Sequence, residues 1–209
     1  MVGNTGLIEA ASHGYVDIIE ILIQRGAEMD IQGYLGETAV AAAAKGGHEN
    51  CLNLLISNQA DANISNNNKE NPLMIALRQE TFKTASLIIK LVPGIDINAN
   101  DIYGENIMLR SVFGGRLETC KYVMDNKGDI DCKNRNGESA LIVACKNRNI
   151  ALVKFLLGKG ADGSSVDNMK RTALIWSCMN VYPDIAEILL KTKVTDDGKS
   201  VNIAINPRY

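Results

Sequence analysis

A self-similarity constrains this 209-residue chain more than any other feature. Six short stretches, "NTGLIEAA", "ETAVAAAA", "ENPLMIAL", "ENIMLRSV", "ESALIVAC" and "RTALIWSC", align with their second residues at Thr5, Thr38, Asn71, Asn106, Ser139 and Thr172. The spacings are 33, 33, 35, 33 and 33. A period of this length marks a row of small units that bury their apolar faces against one another, not a single irregular core.

Each unit has the same parts. After the opening stretch comes a second block, such as "DIIEILIQRGAEMD", "NCLNLLISNQADAN" or "ALVKFLLGKGADGS", in which apolar residues recur at helical spacing. One unit is therefore a short helix, a turn, a second amphipathic helix and a turn-rich connection. The opening Ser, Thr or Asn has a short polar side chain that accepts a bond from an orphan amide of the first helical turn, so Thr38 and Thr172 are expected to cap helices. Gly14, Gly47 and Gly115 stand where a helix ends and the chain turns back, a place that favours a residue tolerant of positive φ. Gly36, Gly104 and Gly137 mark the other turn. Ala10, Ala43, Ala76 and Ala144 let neighbouring units approach closely.

With these features in place, the chain resembles the ankyrin-repeat family over about residues 4 to 195. The resemblance rests on the period, on the glycine-histidine of "GHENCLNLLI", and on "GADG", "QADAN" and "GIDIN" before the connecting hairpins. It implies an all-α solenoid of stacked helix-turn-helix units joined by β-hairpin-like loops. The repeats of a single domain spanning 1–209 would run 4–36, 37–69, 70–104, 105–137, 138–170 and 171–195, with 196–209 a tail or the start of a truncated seventh. The family's "TPLH" is nowhere intact. Only Pro72 keeps the proline, and the histidine position reads Ile8, Ala41, Met74, Leu109, Ile142 and Ile175, so apolar contact is expected to replace side-chain bonding between repeats. Repeat three carries two extra residues, and Pro93 is expected to stop its second helix with an altered hairpin after Ile89. The first repeat's "VDIIEILI" is as apolar as an internal one. That points to a fragment of a longer array, to cover by a neighbouring segment, or to an imperfectly capped end.

The residues offer little for catalysis. His13 and His48 lie one repeat apart at turns and fit local backbone bonding better than metal binding, which needs more ligands. The five cysteines form no C-x-x-C pair and read as reduced thiols. Cys145 and Cys178 share one repeat position and are expected to be a pair of small buried thiols. The glycine pair of "VFGGRLE" follows a helix rather than a strand and fits neither a Walker nor a dinucleotide pattern. No catalytic residue, metal ligand or cofactor is expected. The start "MVGNTGLIEA" lacks a basic segment followed by an apolar one, and no apolar run is long enough to span a bilayer. The expectation is a soluble intracellular protein, cytoplasmic or nuclear, without membrane insertion, either a monomer or a fragment of a longer array.

Recognition is the remaining role. Apolar residues at positions 3, 6 and 7 of each first helix leave positions 5, 8 and 9 to point elsewhere, and the resemblance implies that these, with the hairpin tips, line the binding side. Position five runs Glu9, Ala42, Ile75, Arg110, Val143, Trp176; position eight runs Ser12, Lys45, Arg78, Phe113, Lys146, Met179. The tips add Tyr34 and Leu35, Ile102 and Tyr103, Arg135 and Met169, large residues at places where a polar one is the physical norm. Tyr34, Arg78, Ile102, Tyr103, Arg110, Phe113, Lys146, Trp176 and Met179 are the candidate partner-binding residues, with Arg110, Phe113, Tyr103 and Trp176 as anchors. Glu37, Glu70, Glu105 and Glu138 recur just before the caps, opposite Lys45, Arg78, Arg110 and Lys146, and internal pairing is the favoured reading.

The net charge is −2, divided as −5 over residues 1–100 (6 Lys+Arg, 11 Asp+Glu) and +3 over 101–209 (16 against 13). The leading function is a non-enzymatic protein-interaction scaffold. One alternative is nucleotide or nucleic-acid binding on the basic C-terminal repeats through Arg110, Arg116, Lys133, Arg135, Lys146 and Arg148. The glutamates in register would repel phosphates there, so nucleic acid is the less favoured partner. Another alternative is a scaffold arm of a larger enzyme, channel or effector.

Overall fold

The computed structural model describes residues 3–191. Among them are twelve α-helices in six pairs and no strand beyond one isolated bridge between Lys133 and Ser139. The chain gathers into two compact units, residues 1–102 and 103–209. The first holds α1 (Gly6–His13), α2 (Val16–Gln24), α3 (Ala39–Gly46), α4 (Glu49–Ser57), α5 (Pro72–Arg78) and α6 (Phe82–Leu91). The second holds α7 (Ile107–Phe113), α8 (Leu117–Asp125), α9 (Ala140–Lys146), α10 (Ile150–Gly158), α11 (Ala173–Met179) and α12 (Pro183–Lys191). A tail or seventh repeat at 196–209 lies outside the described residues.

Every first helix starts on the capping residue expected of it. Thr5, Thr38, Asn71, Asn106, Ser139 and Thr172 sit in extended backbone, and each side chain accepts from the amide three residues on. Pro72 takes the first helical position of α5, where no amide partner is lost. The turn glycines Gly14, Gly47 and Gly115 are left-handed, with φ of 77°, 73° and 70°. The other three repeats fill that slot with Glu80, Arg148 and Val181, also at positive φ.

Within the first unit α3 packs on α1 and α5, and α4 on α2 and α6; within the second, α9 packs on α7 and α11. The residues at the family's histidine position are buried from Ile8 to Ile142, and Ile175 is half-buried. Apolar contact does replace that histidine. Each fully buried Leu or Ile, such as Leu52, Ile88, Leu141 or Leu152, contributes about 1.5–3 kcal/mol. Polar bonding between repeats survives at the hairpins. The amides of Asn67, Ile102 and Asn168 donate to the carbonyls of Leu35, Asn68 and Asn136, each at 2.9 Å. Asp30 and Asp131 each accept the amide of the next repeat's aspartate, Asp61 and Asp162.

Three expectations need revision. His48 does not bond within its own turn: its Nε2 meets the Ser12 carbonyl of the preceding repeat at 3.1 Å, with the imidazole lying over Gly14, where a Cβ would come within 2.7 Å of Nδ1. Cys145 and Cys178 are not a buried pair. Cys145 is buried beside α11, and burial pushes its thiol up to about 12, whereas Cys178 is exposed, since among the described residues no first helix of a further repeat packs on α11. In repeat three, α6 stops before Pro93 as expected but runs on past Ile89 to Leu91, one residue longer than the other second helices, so one of the two extra residues lengthens the helix.

Val181 is β-branched, 80% exposed and held at φ 56°. Val181→Gly is expected to raise the stability of the second unit by about 1 kcal/mol, the cost of a left-handed β-branched residue less the entropy of glycine. A urea titration followed by circular dichroism reads this as a higher midpoint at unchanged slope.

Candidate protein-binding surface

The glutamates before the caps pair within their own repeats. Lys45 Nζ meets Glu37 at 3.0 Å, Arg78 Nε meets Glu70 at 3.0 Å, and Lys146 bonds Glu138. In repeat four the cation comes from position five instead, Arg110 to Glu105 at 3.5 Å, because Phe113 occupies position eight. These partly exposed pairs contribute about 0–1 kcal/mol each. Their larger effect is to draw the long cationic side chains down toward the helix corner.

The sixth repeat inverts the charges. Where repeats three and five pair Asn66 with Glu70 and Asn134 with Glu138, it pairs Asp167 with Arg171. Asp167 is buried and accepts from the amides of Met169 and Arg171, from Arg171 Nε at 2.8 Å and from the Trp176 indole at 2.9 Å. The Arg171 guanidinium lies 4.0 Å from the Trp176 ring centroid, and Lys146 Nζ, from the preceding repeat, 4.5 Å. Such cation–π contacts contribute about 0.5–2 kcal/mol. Trp176 is therefore half-buried and polar-satisfied, a pillar of the hairpin corner rather than a bare anchor. Asp167 and Arg171 are missing from the sequence-derived candidates, although their signal is visible as an Asn/Glu to Asp/Arg exchange in register.

The other candidates divide by burial. In the first unit Tyr34 is exposed at a hairpin tip, Arg78 is held by Glu70, and Ile102 is half-buried. In the second, Tyr103 is exposed beneath the Arg110 guanidinium, 5.8 Å from its ring centroid. Phe113 is 44% exposed and Met179 59%, both at position eight, with Lys146 in the row between. Position five does not line a surface throughout: Ala42, Ile75 and Val143 are buried, since in these repeats the side chain turns into the stack.

Burial alone would disfavour the charged forms of Glu138 and Asp167. For Glu138, hydrogen bonds from Asn134 and Lys146 and the Lys146 charge outweigh it, and the carboxyl stays below its usual value. For Asp167, the Arg171 and Met169 amides, the Trp176 indole and the Arg171 side chain do the same. Burial also pushes the thiols of Cys120 and Cys132 up to about 12, which keeps them protonated and unreactive. Among the described residues no three or more His, Cys, Asp or Glu side chains gather as metal ligands, and no helix is long and apolar enough to cross a membrane.

The family description "Ankyrin repeats (3 copies)" matches residues 3–101 and again 107–203. The chain belongs to the ankyrin-repeat family. Its relatives include an L-asparaginase of Dirofilaria immitis, 28% identical over 174 residues, a match covering 80% of this chain but only 28% of that protein's length. Among solved structures, a chain from the complex of the Bd0816 predatory endopeptidase of Bdellovibrio bacteriovorus with immunity protein Bd3460 is 27% identical. Its TM-score is 0.74, covering 90% of this chain and 98% of that one. The ankyrin repeat domain of Bcl-3 shares the fold at a TM-score of 0.83 and 21% identity, covering 96% and 91%. Ankyrin repeats are generally non-enzymatic protein-interaction modules, and this chain has their fold.

Asp167 ionises more readily folded than unfolded. Its contribution is full above the unfolded value of about 3.9 and is lost as pH falls through the lower folded value. Asp167→Asn, with the residue that repeats three and five use there, is expected to cost about 2 kcal/mol at neutral pH. It should also flatten the fall in melting temperature between about pH 5 and about pH 2. Melts of both proteins across that range provide the measurement.

Proposed function

We propose that this protein is a non-enzymatic scaffold that grips a partner protein, chiefly through the second unit. The observation that carries this reading is the exposure of Phe113 and Met179 at the same register position, with Tyr103 exposed at the neighbouring hairpin tip. The stack needs none of these side chains for its core, and large apolar groups held on a rigid helix row are what interface hot spots use. Arg110, Lys146, Arg171 and Trp176 form the polar frame around them, each fixed by a partner and so ordered before binding. Pre-ordering lowers the entropy cost of association. Tyr34, Arg78 and Ile102 would serve as secondary contacts on the first unit. A partner is present in the complex of the endopeptidase with its immunity protein, which lends the reading support by likeness. Five free thiols fit a reducing compartment such as cytoplasm or nucleus.

Nucleic acid fits this surface less well. Arg110, Lys146 and Arg148 are paired with Glu105, Glu138 and Asp184, so a phosphate would have to displace a carboxylate at each.

The double substitution Phe113→Ser/Met179→Ser is expected to abolish capture of the partner from an extract of the source cells, with helical content and melting temperature unchanged. Truncating two such anchors commonly costs about 2–4 kcal/mol, a thirtyfold or greater loss. Capture that survives the double substitution overturns the assignment, as does recovery of nucleic acid alone.

A further inference from the structure

Four charges meet at the corner between repeats five and six, and burial sorts them by sign. The carboxylates lie underneath, with the side chains of Glu138 and Asp167 5% and 1% exposed. Their cations stand above them, Lys146 30% and Arg171 24% exposed. The charges cancel in sum, but what the corner presents outward is positive.

The donors left over are those that recognise a carboxylate. A guanidinium carries five N–H donors in a planar fork and an ammonium three. Among the described residues Arg171 uses only its Nε–H, on Asp167 Oδ2 at 2.8 Å, so its two terminal nitrogens keep their hydrogens without an acceptor. Lys146 uses one donor, on Glu138. Both groups are held in place. The Arg171 guanidinium and Lys146 Nζ lie 4.0 and 4.5 Å from the centroid of one ring, Trp176, whose indole is itself tied to Asp167. A fork fixed through Nε and stacked on a ring still offers the edge between its terminal nitrogens to a bidentate partner.

Stacking of repeats does not supply that partner. Glu37 and Glu138 occupy the register position of Arg171 and are followed by a further repeat. Their side chains bond to Lys45, Asn134 and Lys146, all in their own hairpin or first helix.

We propose that this corner is a receptor for a single carboxylate, an Asp or Glu side chain of the partner seated on the Arg171 fork beside Lys146, next to the apolar contacts at Phe113 and Met179. That the carboxylate comes from a protein rests on the reading proposed above. A planar group with one negative charge suits the corner better than a phosphate, which would bring about −1.5 to −2 to a place already holding Asp167 and Glu138. The receptor is also single: the same register position carries Glu37, Glu70, Glu105 and Glu138 elsewhere, so a polyanion finds no row of cations to follow.

Trp176 is the one tryptophan of the chain, so its indole N–H gives one side-chain peak in proton–nitrogen correlation spectra. Replacing chloride by acetate at neutral pH and constant ionic strength is expected to move this peak along a saturable curve with a midpoint of about 10–100 mM, the strength of one charge-assisted contact in water. Acetamide, the neutral isostere, should leave the peak in place, and phosphate should move it less than acetate does. Arg171→Lys, which keeps the charge but not the fork, should weaken acetate several-fold. Asp167→Asn/Arg171→Glu installs the pair that repeats three and five already carry, and should abolish the response with helical content unchanged. Phe113→Ser/Met179→Ser should retain it in full. No saturable shift in the wild type overturns the proposal. So does an equal shift with acetamide, a larger one with phosphate, or one that survives Asp167→Asn/Arg171→Glu. An acetate response in a protein that captures no partner supports the receptor and removes only the protein-binding reading.

Discussion

A helix pair of this length has too little interior to fold around, so each repeat depends on the face its neighbour offers. Cys51 and Ile185 are buried because another pair lies over them; Ile18, at the same register position and with the same side chain as Ile185, is not. The rest of the structure follows from this dependence. The side chains at the interface must be small or aliphatic, the turns must be tight enough to keep the spacing constant, and the caps must set each helix at the same rotation. Thr38 and Asn71 differ in chemistry but deliver the same amide bond, and so the same register.

Because packing consumes one side of every helix pair, specificity is confined to positions the stack leaves over. That division is unequal along the chain. At position five, Ala42, Ile75 and Val143 serve the core while Arg110 and Trp176 reach the surface. At position eight every residue is at least partly outside, and Phe113 and Met179 make this row apolar in the second unit. The cations on the same rows are held by carboxylates in their own repeats, which keeps them ordered.

Much of the architecture was legible in the sequence because it depends on local rules applied six times. The six caps and the turn glycines could be read from single positions, since only short polar residues accept the orphan amide and glycine adopts positive φ at least cost. What escaped was decided by contacts between repeats. His48 bonds across to Ser12, which no local rule shows, and Cys178 shares a register position with Cys145 but, among the described residues, lies under no first helix of a further repeat. The Asp167–Arg171–Trp176 cluster was readable only in part: the exchange of charges stands in the aligned letters, but the indole that completes it required coordinates. Glu80, Arg148 and Val181 in left-handed backbone were likewise hidden, because none of the three favours that conformation.

The ion pairs of Glu37, Glu70, Glu105 and Glu138 close within one repeat, whereas Arg171 to Asp167 and Arg148 to Asp184 join repeats five and six. Coupling between repeats is carried chiefly by apolar burial and by main-chain bonds at the hairpins. In a one-dimensional array these are separate quantities, an intrinsic energy per unit and a coupling between units. Salt therefore acts mostly on the first: ionic strength can loosen each repeat individually while leaving its neighbours as tightly bound to its fate as before.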